Sequence, residues 1–454
     1  MKIRGHRVEL GEVEAALLAT PGVDSAVSLV SGDLLAFVTA ARAEPQPLPG
    51  APLLTAVKRY ADSQVGSFDA QQVREYQADL SAAALSSMLE VLLKAGLFSG
   101  ERAEPDAAAI LHVLQAEPRH HWLVRRWLGA LCESGLLHST HSHYRLAQPA
   151  PNPALAWGRV EQAVASGLCS QALLDYQLNH VWQLPQLLKG EVNPFDLLFP
   201  RGQLDLALQL YGGDAVSRYN NHSIAALINR LATHHQGDGP LRILEIGAGT
   251  GATSAPVIGL LDGLEVDYLF TDMTAFFLPA AKQRFAEHAW VRYGVLDIDQ
   301  DIRPQGLASN SVDIVLCAGM LNSVKASTMP SARSPSCSAG GWLVFSEPTQ
   351  EEFWVMASQA FMLNQASDER QLSSATFLDL SQWQSALARA GFHGNRSLPA
   401  AKHPLARLGH RVFVAQVPGQ RLSRAALVAH LEDPELQLEL LDHLPDLSTA
   451  KDLP

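Results

Sequence analysis

The feature that most constrains this chain is an apolar strand that runs into a glycine-rich turn, residues 243–251 (ILEIGAGTG). Glycines at positions 247, 249 and 251 permit left-handed backbone and allow a ligand to approach the main chain closely. Asp272 ends the next apolar run, where a carboxylate can accept hydrogen bonds from both hydroxyls of a ribose. The pattern therefore predicts a nucleoside site at the edge of a sheet.

The sequence around this turn alternates short apolar runs with helical segments. We expect the strands to lie at residues 242–246, 268–271, 291–295, 312–317 and 342–346. This alternation is typical of an α/β doubly wound sheet.

A helical region precedes the sheet. Residues 55–235 carry apolar side chains at three- and four-residue spacing, most clearly in 82–97 and 121–137, and contain few β-rich runs. The polar stretch 136–145 resembles the wing of a winged-helix-like fold. Its three histidines are explained by a polar loop, because no acidic or thiol ligand stands near them.

The first 42 residues have a different pattern. A basic, strand-like start is followed by a helical stretch at 10–18 and by apolar runs at 25–30 and 34–38, which predicts a small α+β unit. Four prolines in residues 41–52 break regular structure and indicate a linker.

Composition excludes several classes of function. The net charge of −12 offers no broad attraction to nucleic acid or an anionic membrane, and we expect neither as a partner. No run of about 18 apolar residues would span a bilayer. The four cysteines are widely spaced without a CxxC pair, so we expect no zinc site, no disulfide framework and a cytoplasmic location.

The glycine turn and its acids resemble the class I S-adenosylmethionine (SAM)-dependent methyltransferases. In addition to Asp272, an acid within the strand, Glu245, and an acid after the following strand, Asp297, support this resemblance. It implies that Gly247, Gly249 and Gly251 lie against the methionine portion of SAM. It further implies that Asp272 binds the ribose and that Asp297 lies near the adenine.

A second resemblance lies at the N-terminus. Residues 2–14 (KIRGHRVELGEVE) are similar to the eighth core motif of the adenylation domains of nonribosomal peptide synthetases, which opens their small C-terminal subdomain. The ATP-binding motifs of the large subdomain are missing, and no lysine-bearing final motif follows residue 420. The resemblance therefore implies a fragment that does not itself adenylate a substrate.

Together the two resemblances imply a tailoring domain inserted into an adenylation domain, as in the siderophore synthetases of the pyochelin and yersiniabactin type. The implied partners are a phosphopantetheine-bearing carrier domain with its thioester-linked substrate, and the remainder of the adenylation domain. The expected organisation is an adenylation fragment at 1–42, a linker at 43–54, a helical lid at 55–235, the methyltransferase-like core at 236–420 and a return segment at 421–454.

The expected chemistry begins with removal of an acidified Cα proton by a base. Related carbon-methylating domains carry a His–Glu dyad, the His in an Asn-x-x-His motif after the fourth strand and the Glu at the end of the fifth. Here Asn322 replaces the histidine and Glu347 matches the glutamate. An amide is not a base at neutral pH, although it can donate a hydrogen bond to an enolate. The segment 326–340 also departs from the family, with prolines among many serines where a helix is expected.

The other candidate bases are Tyr219 and His222, just before the helix that leads into the glycine strand. Because the dyad histidine is absent, we favour epimerisation of a carrier-bound, cysteine-derived aryl-thiazoline, with Glu347, His222, Tyr219 and Asn322 in the site. The alternative is SAM-dependent methylation of the same class of substrate. A second alternative is a non-catalytic scaffold that binds the cofactor, against which the intact glycine turn argues.

Overall fold

The computed structural model describes residues 2–3, 6–7, 9–20, 23–31, 33–40, 51–235, 239–300, 302, 304–307, 311–323, 337–363, 370 and 375–417. The expectations for the return segment 421–454 and for most of the serine-rich segment 326–340 lie outside these residues.

The helices are α1 (Leu10–Leu18), α2 (Ala51–Val65), α3 (Ala70–Lys94), α4 (Ala107–Leu114), α5 (His121–Glu133), α6 (Pro153–Ala165), α7 (Gln171–Trp182), α8 (Leu184–Leu188), α9 (Pro194–Leu198), α10 (Asp205–Gly213), α11 (Ala215–Thr233), α12 (Ser254–Leu261), α13 (Leu278–Arg284), α14 (Phe353–Met356) and α15 (Leu380–Arg389). The strands are β1 (Lys2–Ile3), β2 (His6–Arg7), β3 (Val23–Ser31), β4 (Asp33–Ala40), β5 (Leu137–Thr140), β6 (His143–Leu146), β7 (Leu241–Ile246), β8 (Val266–Asp272), β9 (Val291–Val295), β10 (Val312–Ala318), β11 (Cys337–Pro348), β12 (His393–Leu398) and β13 (His410–Gln416).

The main sheet has seven strands in the order β12-β13-β11-β10-β7-β8-β9. The five strands from β11 to β9 in this order pair in parallel, and β13 is antiparallel to both of its neighbours. The chain moves outward from β7 in one direction through β8 and β9, and then crosses over to β10 and β11. Ligands of open α/β sheets bind where the strand order reverses in this way, so the fold places a site at the carboxyl ends of β7 and β10.

The predicted doubly wound sheet is confirmed. Each of the five predicted strands lies within an observed strand, and the run at 291–295 has the predicted bounds. The strands read as continuous apolar runs because helices cover the faces of the sheet; in β10, for example, Ile314, Val315 and Leu316 are all buried.

The helical region packs against this sheet rather than standing apart. One buried cluster joins α3, α6, α7 and α11 to the face of the sheet that carries α12, and a second joins α3, α5 and α8 to the segment after β11. Trp127 on α5 donates from Nε1 to the carbonyl of Met356 at 3.1 Å. Helices of this region therefore lie beside the chain that leaves the carboxyl end of β11.

Two boundaries differ from the expectations, the starts of α2 and α11. Helix α2 begins at Ala51, so the last four residues of the expected linker 43–54 are helical, and Pro52 is tolerated because the first turn needs no backbone donor. The expected wing is an antiparallel hairpin of β5 and β6. Helix α11 begins at Ala215 because the Asp214 carboxylate accepts from the backbone N–H groups of Val216 and Ser217, at 2.8 and 3.0 Å.

The N-terminal unit has the predicted order of a strand, a helix and two further strands, except that the strand-like start is divided into the two short strands β1 and β2. Helix α1 has the predicted bounds, and β3 and β4 form an antiparallel pair. Oε1 of Glu14 ties α1 to β3, because it accepts from the backbone N–H and the hydroxyl of Ser28 at 2.8 and 3.1 Å. None of the helices in the described ranges has the length and apolar character needed to cross a membrane.

Candidate active site

The glycine turn follows β7 with left-handed backbone at each of its three glycines. The φ angles are +66° at Gly247, +54° at Gly249 and +75° at Gly251. A Cβ at Gly247 would lie 2.9 Å from Cγ of Met320, whereas one at Gly249 would meet no atom closer than 4.0 Å. The open space at Gly249 is the room that a ligand needs to approach the backbone.

Asp272 lies at the end of β8, directly beside this turn. Its Oδ2 accepts from the backbone N–H of Gly249 at 3.0 Å, and its Oδ1 accepts from that of Thr274 at 3.0 Å. The side chain is 7% exposed, and burial raises the pKa of Asp272, which the backbone hydrogen bonds oppose. Each oxygen keeps acceptor capacity, so the carboxylate is fixed and able to take two hydroxyl donors.

Glu245, two residues before the turn, faces the interior rather than the edge of the sheet. Its Oε2 accepts from the hydroxyls of Ser254 and Tyr268 at 2.6 and 2.7 Å, and burial raises its pKa to about 7. Its Oε1 is buried without a hydrogen-bond partner among the described residues. These bonds fasten the start of α12 to β7 and β8, so Glu245 holds the turn in place.

Asp297 follows β9 on the same edge. Strand β9 pairs with β8 so that Val295 lies opposite Asp272, and Leu296 donates its N–H to the carbonyl of Asp272 at 2.9 Å. The carboxylate of Asp297 accepts from the backbone of Asp299 at 2.9 Å. The structure thus gathers Gly249, Asp272 and Asp297 at one edge, as the sequence predicts.

Glu347 and Asn322 meet at the carboxyl ends of β10 and β11. Oε1 of Glu347 accepts from the backbone N–H of Leu321 at 2.6 Å, and Oε2 accepts from Nδ2 of Asn322 at 2.6 Å. The N–H of Gly319 donates to the carbonyl of Ser346 at 2.8 Å, which holds the two strand ends together. The amide therefore occupies the position expected for the dyad histidine and contacts the carboxylate directly.

Glu347 is 1% exposed, and burial raises its pKa to about 7. The bonds from Leu321 and Asn322 and the nearby charge of Arg370 oppose that rise. A carboxyl with a pKa near 7 is partly ionised at neutral pH and is a stronger base than an ordinary glutamate.

Tyr219 and His222 lie within α11 rather than before it, which corrects their predicted position. Tyr219 is fully buried, and its ring packs on that of His403 with centroids 4.8 Å apart. His222 makes an edge contact with Tyr60 and lines an open groove with Arg218 and Arg284, beside the start of α12. No hydrogen bond or ring contact in the described part of the chain joins either side chain to Glu347 or Asn322. Their roles as bases remain predictions.

A cavity of about 170 Å³ lies between the helical region and the segment that follows Glu347. It is lined on one side by residues of α3, α7, α10 and α11 and on the other by Pro348 and residues 350–355. Glu352 lies in its wall and accepts from Nε1 of Trp354, and burial raises the pKa of Glu352 to about 7. The cavity thus begins at the residue next to Glu347.

Sequence reasoning missed Arg370, which is 4% exposed and donates to the backbone and side-chain oxygens of Asn322 at 2.9 and 3.2 Å. It also missed Glu352 and Asp214 as cavity residues. Arg370 bonds to a residue 48 positions away, and Glu352 and Asp214 meet at the cavity from distant parts of the chain, so no local pattern marks these side chains. Within the described residues, no group of three or more His, Cys, Asp or Glu side chains is placed to hold a metal, and Cys132, Cys169 and Cys317 are free thiols.

Comparison with known proteins agrees with this geometry. Residues 244–341 match the family model described as a methyltransferase domain. Pyochelin synthetase PchF of Pseudomonas aeruginosa strain UCBPP-PA14 is 33% identical over 479 aligned positions, which cover 99% of this chain and 26% of the synthetase. The chain thus spans about a quarter of the length of this curated relative.

Two solved structures resemble most of the chain. The CurJ carbon methyltransferase has a TM-score of 0.72 and 26% identity, and the match covers 81% of this chain and 97% of that one. The DszA carbon methyltransferase has a TM-score of 0.69 and 23% identity, with 85% and 100% covered. The chain therefore has the class I methyltransferase fold, contains a match to a methyltransferase domain and is similar over nearly its whole length to a segment of the pyochelin synthetase.

Proposed function

We propose that this synthetase-associated, methyltransferase-like domain methylates a thioester-linked intermediate carried on a phosphopantetheine arm, with Glu347 as the base. The observation that carries the proposal is the buried Glu347–Asn322 pair beside a cavity, on the same sheet edge as the glycine turn. The likeness to two carbon methyltransferases supports methyl transfer over epimerisation, which was our first expectation from the sequence.

The residues at the turn fit SAM. Space at Gly249 suits a ligand lying against the backbone, and the fixed carboxylate of Asp272 suits a ribose. We infer that Gly247, Gly249, Gly251, Asp272 and Asp297 hold the cofactor, and that Glu245 supports them from within the core. When bound, SAM supplies an electrophilic methyl group.

Glu347 removes the proton from the acceptor atom. Its two oxygens are oriented by Leu321 and Asn322, so the carboxylate does not need to reorganise when the proton is transferred. Near-complete burial excludes water, which protects a carbanion from protonation by solvent. The acyl group of the intermediate occupies the cavity that begins at Pro348.

A second candidate function is epimerisation at the same carbon. The observation that favours it is Asn322, because its amide can hold an enolate oxygen but cannot act as a base. In this reaction Glu347 works with a second group that returns the proton, and His222 and Tyr219 are the sequence-based candidates.

One experiment separates the candidates. The chain is incubated with the pantetheine thioester of an aryl-thiazoline carboxylic acid in deuterated water, with and without SAM. The molecular mass of the product is then measured by mass spectrometry. Gain of one methyl group only when SAM is present supports methyl transfer. Gain of deuterium without a methyl group when SAM is present supports epimerisation and contradicts the main proposal. Deuterium uptake only when SAM is absent is expected of either reaction, because both begin with removal of the same proton. SAM binding without either product supports a scaffold.

We also infer that residues 1–42 belong to the small subdomain of an adenylation domain, with the helical lid at 55–235 and the core at 236–420 inserted after it. The alignment with the pyochelin synthetase supports this, since it covers nearly the whole chain, including the N-terminal motif. The carrier domain and the rest of the adenylation domain are the partners that this arrangement requires.

A further inference from the structure

A continuous chain of hydrogen bonds starts at the proposed base. Asn322 uses both ends of its side-chain amide: Nδ2 donates to Oε2 of Glu347 at 2.6 Å, and Oδ1 accepts from Nη1 of Arg370 at 3.2 Å. The same Nη1 donates to the backbone carbonyl of Asn322 at 2.9 Å. Arg370 thus donates to both the backbone and the side-chain oxygen of Asn322.

The chain continues through Thr376 to Glu351. Nη1 of Arg370 lies 3.4 Å from the carbonyl oxygen of Thr376, and the hydroxyl and N–H of Thr376 donate to Oε1 of Glu351 at 2.9 and 3.3 Å. Thr376 is 4% exposed, as is Arg370, so this section of the chain is shielded from water.

The far end of the chain lies on the helical region. Nε of Arg126, on α5, donates to both oxygens of Glu351 at 2.9 Å, and Nη2 contacts Oε2 as well. Arg126 also holds Glu133 on the same helix. A helix of the proposed lid is therefore connected to Glu347 through five side chains, those of Arg126, Glu351, Thr376, Arg370 and Asn322. The first four carry no role so far.

We propose that Arg370 is a positioning residue that fixes the amide of Asn322 in the one orientation that serves Glu347, and that Arg126 and Glu351 anchor this arrangement to the lid. A flipped amide would turn Oδ1 towards a carboxylate and the NH₂ group towards a guanidinium, which places acceptor against acceptor and donor against donor. The cation on Oδ1 makes that flip unfavourable. The inference rests on the proposed role of Glu347 as base.

The test is the pH profile of methyl transfer by Arg370→Gln, with Arg370→Lys as the conservative variant. Without the cation, Asn322 can flip and Glu347 loses both a donor and a favourable charge, so the ionised form becomes harder to reach. We expect the acid limb of kcat/KM to move to higher pH by about one unit, with about a fivefold loss at pH 7 that shrinks at pH 9. Arg370→Lys restores a large part of this loss.

Arg242→Gln is the matched control. Arg242 also bonds a carboxylate with two nitrogens, Asp313 at 3.1 and 2.8 Å, but near the amino end of β7, away from the site. Its removal should leave the pH profile in place. A loss of activity in Arg370→Gln that is equal at all pH values, or an unmoved profile, overturns the positioning role. Absence of methyl transfer and of deuterium uptake in the unmodified protein would instead remove the proposed function itself.

The link to the lid is tested with Arg126→Met. If the lid anchors the arrangement, this variant shifts the acid limb in the same direction as Arg370→Gln but by less, and the double variant shifts it no further than Arg370→Gln alone. Additive shifts would show that Arg126 acts independently of Arg370 and would limit the inference to Arg370.

Discussion

Glu245 and Glu347 are alike in every property that is usually taken to mark a catalytic carboxyl, yet they differ in their surroundings. Each lies near the carboxyl end of a parallel strand, is 1% exposed and has a pKa raised by burial to about 7. Glu245 accepts hydrogen bonds inside the core from the hydroxyl groups of Ser254, on α12, and Tyr268, on β8. Glu347 accepts from the loop after β10, and the residue that follows it, Pro348, lines a cavity. Burial and pKa therefore do not identify a base by themselves; the partners and the adjoining space do.

The largest expected effect is on the reaction rate of Glu347→Gln. Loss of a general base lowers kcat by about 10²–10⁴-fold, and the amide cannot accept the proton. SAM affinity, measured by calorimetry, should be unchanged, because Glu347 lies on the acceptor side of the site. Glu245→Gln is the paired variant and should keep kcat within about tenfold of the unmodified protein. Equal losses of rate in the two variants would remove the distinction between the glutamates.

The next effect is the pH dependence of stability, in which the two glutamates should behave alike. The folded pKa of Glu245 is about 7, above its unfolded value of about 4.3, so the folded state holds a proton that the unfolded chain releases. This contribution to the unfolding free energy is full below about pH 4 and is lost as the pH rises through 7. Relative to Glu245→Gln, the unmodified protein should lose up to about 3 kcal/mol between about pH 4 and pH 8.

Urea unfolding of the unmodified protein and of both glutamine variants over that pH range measures the difference. Glu347→Gln should change the slope in the same direction as Glu245→Gln. A slope that is the same in all three proteins would mean that neither carboxyl holds its proton in the folded state.

The third effect concerns the cofactor side. Asp272→Ala removes the paired acceptors proposed for the ribose, which should weaken SAM binding by about 1–3 kcal/mol. The variant also leaves the N–H of Gly249 without its carboxylate. Asp272→Asn, which keeps one carbonyl oxygen, should lose less. Titration calorimetry measures the affinity of both variants for SAM and for its demethylated product. An unchanged affinity would mean that the ribose does not bind at Asp272.

The smallest effect is expected for Asn322→Ala. Glu347 keeps the backbone bond from Leu321 but loses the amide donor at Oε2. We therefore expect about a tenfold loss of rate at pH 7, which corresponds to the free energy of about one charge-assisted hydrogen bond. Asn322→Asp is the stricter variant, because a second carboxylate at this distance opposes ionisation of Glu347. Methyl transfer at the unmodified rate by Asn322→Asp would show that Glu347 does not act in its ionised form.

The sequence predicted the fold around the glycine turn well, because the information there is local. The strand, the glycine turn, the helix and the acid that ends the next strand follow one another closely in the sequence. Each of the strands β7 to β11 can be recognised from its own apolar run, without reference to distant residues. The acceptor side was predicted only where it follows a strand: Asn322 and Glu347 were identified as partners from the resemblance to a His–Glu dyad. The structure brings them together because the ends of adjacent parallel strands meet. The expected position of Tyr219 and His222 was wrong by several residues, because the helix start depends on capping by Asp214.

By itself, the sequence determined the class of fold, the order along the chain of the five parallel strands β7 to β11, and the residues at the ends of β7, β8, β10 and β11. Periodicity and the glycine spacing are properties of consecutive residues, so they can be read without coordinates. Only the tertiary structure decided that Glu245 bonds to Ser254 and Tyr268 within the core, whereas Glu347 bonds to Leu321 and Asn322 and is followed by a residue that lines a cavity. It also decided that the helical region is connected to Asn322 through four side chains, those of Arg126, Glu351, Thr376 and Arg370. These contacts join residues as far apart as 126 and 351, and such pairings are set by how helices and sheet pack together, which no local pattern records.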